Sequence, residues 1–327
     1  MSASLFWNLP SRGERGRGEW QAGAPPRGRG WWREEREGRF GPYDYLAQVA
    51  HAAEVSGFDG AFIPWEVGGD EPLIIAAALA RETRNLVFVP EIQPASATPV
   101  YLAKMAVTFQ RFARNRFAWK LDLELDSAVR RAHGDFLEGE EWFARAEEYI
   151  HVAKGTWTTH PFDFRGRFYD VERGGLAGPL SGLPLPRIYT SGRSDRVLQA
   201  AAKLADVHLL GPGPVEDVLS QARRLKAAAD KEGREVAAGV RLGLVTRHTT
   251  EDAVRVAREG SSPTDLVGDF GTVAARLDEL VAGGVRHLVI DARPHLEEAY
   301  RFAEHVLPLL SFRARPRPGA PRDVQTQ

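Results

Sequence analysis

At 327 residues, 43% of them hydrophobic, the chain is long enough for one large barrel or two ordinary domains. Its 43 basic and 44 acidic residues leave a net charge of -1, which gives no field to draw in nucleic acid or an anionic membrane. The absence of cysteine excludes disulfides, thiolate metal sites and a cysteine nucleophile. No apolar run approaches the ~20 residues that cross a bilayer, and the first residues lack the pattern of a secretory signal, so a cytoplasmic protein is expected.

In chain order, an apolar strand is expected over 5–9, followed by a segment, 11–39, that holds eight arginines, five glutamates and seven glycines with Trp20, Trp31 and Trp32. Its position after the first strand suits either a lid or a surface loop with no catalytic duty. The glutamates reduce its charge to about +3, which weakens a nucleic-acid role. Helical periodicity then predicts helices over 43–56, 99–113, 140–154, 194–204 and 215–231, the last with Val218, Leu219, Ala222 and Leu225 on one stripe. Short β-rich runs predict strands at 60–65, 86–92, 116–123, 187–191, 207–210, 239–247 and 287–292.

Between the helix at 140–154 and the strand at 187–191, residues 162–171 alternate around Arg165-Gly166 and read as a small hairpin. Near the end, Thr272 opens a helix carrying Val273, Leu277, Leu280 and Val281, which Gly283-Gly284 ends. Pro294 opens the next helix. The stretch 311–327, with Pro316, Pro318 and Pro321, reads as a disordered tail, leaving 1–310 as one domain. Eight strands alternating with helices favour a single (β/α)8 TIM barrel over a doubly wound sheet.

Several motifs stand in one order along this pattern: Phe6-Trp7-x-Leu9-Pro10, Ala61-Phe-Ile-Pro64, Phe164-Arg-Gly-Arg-Phe168, Thr190-Ser-Gly-Arg-Ser-Asp195, Val240-Arg-Leu242, Gly268-Asp269-x-x-Thr272-Val-Ala-Ala-Arg276 and Pro294-His-Leu-Glu-Glu-Ala-Tyr300. Together they resemble the bacterial luciferase-like flavin monooxygenases, most closely the alkanesulfonate monooxygenases, over roughly residues 4 to 310. The resemblance implies a luciferase-like barrel that oligomerises, takes reduced FMN from a separate flavin reductase and uses oxygen on a small, anionic organic substrate such as an alkanesulfonate. A deazaflavin, F420, is the alternative cofactor. A degenerate barrel acting as a binding or partner subunit is the alternative to an enzyme.

For the cofactor, Ser191, Gly192, Arg193 and Ser194 form a turn entering a helix, where backbone N–H groups, two hydroxyls and a guanidinium suit a phosphate. The other use of the same residues is a serine cap with a solvated arginine. Trp65, like Trp7 and Trp119, lies in or at the end of a strand and suits either a planar ligand or core packing. Arg12, Arg241 and Arg293 converge on the C-terminal face in such a barrel. There they either bind an anionic substrate or pair with Glu66, Asp70, Asp122, Glu124 or Asp291.

The chain also departs from the pattern it resembles. Glu124 stands where a glycine is expected and Asp122 where a small apolar residue is, so carboxylates are expected against an anionic reduced ring. Gly69, Gly243, Arg293 and Arg12 replace a cysteine, a histidine, a tyrosine and a histidine, while Arg241 keeps its place. The insertion before the last barrel unit is shortened to about 257–267. No metal site is expected: His295 and Glu298 read as helix-terminal residues, and His51, His133 and His208 as isolated ones.

Overall fold

The computed structural model describes residues 2–14, 41–258 and 266–313. The 11–39 segment and the 311–327 tail therefore lie mostly outside the described residues. Of the tail, Ser311 donates its N–H to Asp278 at 3.0 Å and Arg313 pairs with Asp59 at 2.5 Å.

Eight parallel strands close into a barrel: β1 (Ser4–Asn8), β2 (Gly60–Ile63), β3 (Val87–Ile92), β4 (Ala118–Asp122), β7 (Arg187–Ser191), β8 (Val207–Leu210), β9 (Ala237–Arg247) and β11 (Val285–Asp291). Closure runs through the β8–β9 and β11–β1 pairings, so the barrel has no free edge. Between them lie α1 (Pro42–Val55), α2 (Pro72–Glu82), α3 (Pro99–Phe112), α4 (Ser127–Ala132), α5 (Gly139–Thr158), α6 (Asp195–Leu204), α7 (Val215–Lys231), α8 (Thr250–Ala257) and α9 (Phe270–Ala282), with α10 (His295–Arg301) after the last strand. All eight predicted strands are present. Among the described residues no helix is long and apolar enough to cross a membrane.

The pleat sorts the side chains. Phe6, Phe62, Val89, Ala118, Tyr189, Val207, Leu209 and Val289 point inward and form one apolar cluster inside the barrel. Their neighbours of opposite parity, among them Leu5, Trp7, Ile63, Phe88 and Trp119, pack under the helices in the larger core. Gly60 is part of this fit, since a Cβ there would stand 2.5 Å from the Phe6 ring. Fully burying one such side chain contributes roughly 1.5–3 kcal/mol, so two concentric layers supply most of the driving force. Trp7 packs on Phe58 and Phe302, and Trp119 on Phe117 and Trp157, which places both in the core rather than beside a ligand.

Local chemistry explains where expectation and structure differ. The helix expected from Thr272 begins at Phe270, because Asp269 is its N-cap and accepts the Thr272 N–H at 2.8 Å. Pro294 is the N-cap of α10, one residue before the helix it was expected to open. The hairpin pairs β5 (Phe162–Arg165) with β6 (Asp170–Gly174), and its turn is longer than Arg165-Gly166 because Glu148 gathers the N–H groups of Arg167, Phe168 and Tyr169.

Among the elements not anticipated are α2, α4, α8 and the short β10 (Leu266–Asp269). β10 begins at the end of the region read as a shortened insertion, runs past it, and pairs with β9 beyond the barrel, Leu266 opposite Leu244 through Asp269 opposite Arg247. On the outer wall, α2 and α3 leave Ile74, Tyr101 and Phe112 exposed by 69, 58 and 72% around a groove of about 440 Å3.

Candidate active site

Above the apolar floor, the same inward parity brings charged residues to the C-terminal mouth, where barrel sites are built. Glu91 and Lys120 are opposite one another on β3 and β4, both 4% exposed, and Lys120 Nζ donates to Glu91 Oε1 at 2.7 Å. Asp122 stands 3.6 Å from the same ammonium, and the Trp65 N–H reaches Glu91 Oε2 at 3.3 Å. Burial pushes the Glu91 carboxyl up against the pull of Lys120. Burial also acts to raise Asp122, but Lys120, the Glu124 N–H and Glu91 together outweigh it and hold that carboxyl below its ordinary value. Two buried polar atoms at the ends of β1 and β3, Asn8 Oδ1 and Gln93 Nε2, have no hydrogen-bond partner among the described residues.

The turn after β7 is built with care. Ser194 is the N-cap of α6 and accepts the Val197 N–H, so its capping use is realised. His208, fully buried on β8, ties the turn down: Thr190 Oγ1 lies 2.8 Å from Nδ1, and Nε2 lies 2.9 Å from the Gly192 carbonyl. Because that carbonyl only accepts, Nε2 carries the proton and Nδ1 accepts from the threonine hydroxyl. Burial lowers the His208 pKa to about 4 against the Gly192 bond, which keeps the ring neutral at pH 7. This residue was read as isolated, and it is a positioning residue for the turn.

Glu124 occupies what the turn offers. Its Oε2 accepts the Arg193 N–H at 2.9 Å and its Oε1 the Ser194 N–H at 2.7 Å. The carboxylate expected against a ring is thus bound to the start of α6. Arg193 sends its guanidinium away, donating to the Pro212 carbonyl at 3.1 Å across Gly211. The donors of a phosphate cradle are thus present and in position to hold a two-oxygen anion. They hold an internal one, so the residues fit a flavin phosphate once Glu124 withdraws.

On the opposite side, Arg241, Arg293 and Arg12 lie on or just beyond three consecutive strands, β9, β11 and β1. Arg241 pairs with Asp291 at 2.6 Å and lies over the Phe62 ring at 5.6 Å, which is the charge-network use of this residue. Arg12 and Arg293 are exposed and form no ion pair with a described residue. Gly69 makes room for Arg12, since a Cβ there would meet the arginine stem at 3.1 Å. Trp65 is half-buried at the mouth, its ring edge-on to His133 at 4.8 Å.

Asp291 also meets His295, 3.2 Å from Nε2, while Glu14 lies 3.2 Å from Nδ1 and takes the hydroxyl of Tyr45. Burial acts to lower His295, but the two carboxylates outweigh it and raise its pKa, favouring the imidazolium. For Asp291 and Glu14 burial acts upward, and His295 outweighs it, with Arg241 assisting at Asp291 and Tyr45 at Glu14. Glu298, read as a helix-terminal charge, is 2% exposed and binds Arg247 and Arg301. Among the described residues no group of three or more His, Asp or Glu side chains is placed to hold a metal ion.

The luciferase-like monooxygenase family model matches residues 23–305. Among solved structures, the EDTA monooxygenase EmoA from Chelativorans sp. BNC1 superposes with a TM-score of 0.77 at 16% identity, over 94% of this chain and 93% of that one. The riboflavin lyase RcaE, solved with modified FMN and substrate riboflavin, gives 0.76 at 18% identity, over 94% and 91%. An F420-dependent secondary alcohol dehydrogenase in complex with an F420-acetone adduct gives 0.73 at 12% identity, over 94% and 99%. At such identities the superpositions speak for the fold, and the family match covers most of the chain: it belongs to the luciferase-like monooxygenase family.

Proposed function

We propose that this protein is a flavin-dependent monooxygenase of the luciferase type, using reduced FMN handed over by a separate flavin reductase on a small, anionic organic substrate such as an alkanesulfonate. The observation that carries the reading is the turn Ser191, Gly192, Arg193 and Ser194, whose two N–H groups hold an anion at the mouth of the barrel. The flavin, when bound, supplies the electrons for oxygen chemistry. The chain's residues bind and orient. The Arg193 and Ser194 N–H groups, with the Ser191 and Ser194 hydroxyls, would meet the phosphate in competition with Glu124, and Trp65 would lie beside the ring. Asn8 Oδ1 and Gln93 Nε2 offer an acceptor and a donor for polar edges. Arg12 and Arg293, with Arg241, would meet the substrate's negative charge.

F420 fits the same reading, because its phosphate asks for the same donors and two solved neighbours are F420-dependent enzymes. A degenerate, partner-binding barrel is the second reading. It is favoured by Glu124 filling the turn and by the buried Glu91, Lys120 and Asp122 beneath the mouth.

Titration with oxidised FMN, photoreduced FMN and F420, followed by tryptophan quenching, separates the two readings. Saturable binding of reduced FMN, with reductase-dependent oxygen uptake on adding a sulfonate, is expected. No saturable binding of any flavin overturns the enzyme reading in favour of the binding subunit.

A further inference from the structure

Glu124 and the turn after β7 form one unit. The carboxylate places one oxygen on each of two successive N–H groups at the start of α6, at 2.9 and 2.7 Å, the way two oxygens of a phosphate bind a helix N-terminus. Gly192 makes the approach possible. Its φ of 135° lies where side chains are strained, and a Cβ there would stand 2.9 Å from the Glu124 carboxyl carbon. The base of the side chain is fixed as well, because the Glu124 N–H donates to Asp122 Oδ1 at 2.9 Å. Geometry at both ends is therefore set for this contact.

We propose that Glu124 is a specificity-determining residue that stands in for the phosphate, so that the mouth recognises its flavin by the ring and its side chain. This rests on the flavin reading. A phosphate arriving at the turn exchanges one anion for another on the same two donors, and the net gain from it is small. Left outside the turn, it meets the negative charge of Glu124. In either case the phosphate adds little to affinity, whereas removing the carboxylate restores the donors to the ligand.

FMN and riboflavin differ only in that phosphate, so the ratio of their dissociation constants reads the proposal directly. For the parent, the two are expected within about threefold of each other, and for Glu124→Ala, FMN is expected at least about tenfold tighter than riboflavin. Glu124→Gln, which keeps the shape and loses the charge, should move the ratio the same way and guards against a folding defect in the alanine variant. A parent that already prefers FMN by tenfold or more, or a ratio that neither variant changes, overturns the proposal. If neither flavin binds parent or variants, the flavin reading falls and inorganic phosphate decides. A phosphate-dependent rise in Tm confined to the Glu124 variants upholds the role of Glu124, and no rise in any of the proteins overturns it.

Discussion

His295 holds Asp291 at 3.2 Å through one ring nitrogen and Glu14 at 3.2 Å through the other, so a single buried imidazole joins the last barrel strand to the residues after the first. The histidine is raised above its ordinary 6.5, so its stabilisation is complete below pH 6.5 and is lost as pH rises through the folded value. Asp291 and Glu14 are held below 3.8 and 4.5, so theirs is complete above those values and is lost as pH falls through the folded ones. The cluster is therefore at full strength between 4.5 and 6.5. His295→Gln should cost roughly 3–5 kcal/mol at pH 6, as expected when one member of a buried charge group is removed. By urea unfolding, the gap to the parent should narrow toward pH 9, and a gap independent of pH would contradict the assignment.

Lys120 and Glu91 should show strong coupling. Removing Lys120 leaves Glu91, 4% exposed, without its cation, at a cost of about 3–5 kcal/mol, whereas Lys120→Met with Glu91→Leu removes both members of the 2.7 Å pair and leaves Asp122 as the remaining carboxylate. A double-mutant cycle by denaturant unfolding should give a double variant more stable than Lys120→Met alone. Simple additivity of the two losses would show that the pair is not an energetic unit.

His208→Gln tests the support of the turn. It disturbs the bonds to Thr190 and Gly192 and should destabilise by roughly 1–3 kcal/mol at neutral pH. The folded pKa of about 4 lies below the ordinary 6.5, so the unfolded chain binds the extra proton. The parent should lose stability as pH falls from 6.5 toward 4, and the variant should lose less over that window. His287, lowered to about 4 mainly by burial, gives the same slope in both proteins and cancels in the difference. Identical slopes would remove His208 as the source.

Arg293 is exposed and unpaired among the described residues, so Arg293→Ala should leave Tm within a degree or so of the parent. If it meets an anionic substrate, KM should rise about tenfold or more, which is the loss of one charge-assisted contact. Arg293→Lys should recover part of that affinity. An unchanged KM in steady-state oxygen uptake would take this arginine out of the site.

How far residues alone carry depends on the range of the interaction. The eight barrel strands were legible because each is a β-rich run, most of them short and largely apolar, and the Ser191 to Ser194 turn because its residue types declare a helix start. Helix α2 went unread although Glu71-Pro72 caps it and Ile75, Ala76 and Leu79 bury one face, a pattern masked by its almost uniformly apolar surface. The direction of Glu124 was beyond reach, since its partners lie 69 and 70 residues away and only barrel closure brings them together. His208 shows the same limit: alone on a four-residue strand, it acquires a role through Thr190 on the adjacent one.

Glu14 takes the hydroxyl of Tyr45, and these two residues stand on either side of the stretch 15–40. The described residues that flank that stretch thus rest against each other. Joining two points that already touch costs chain entropy that grows only slowly with the number of residues between them, so a change in the length of 15–40 should leave the strands on either side threaded as they are. The barrel is in this sense modular at its first crossing.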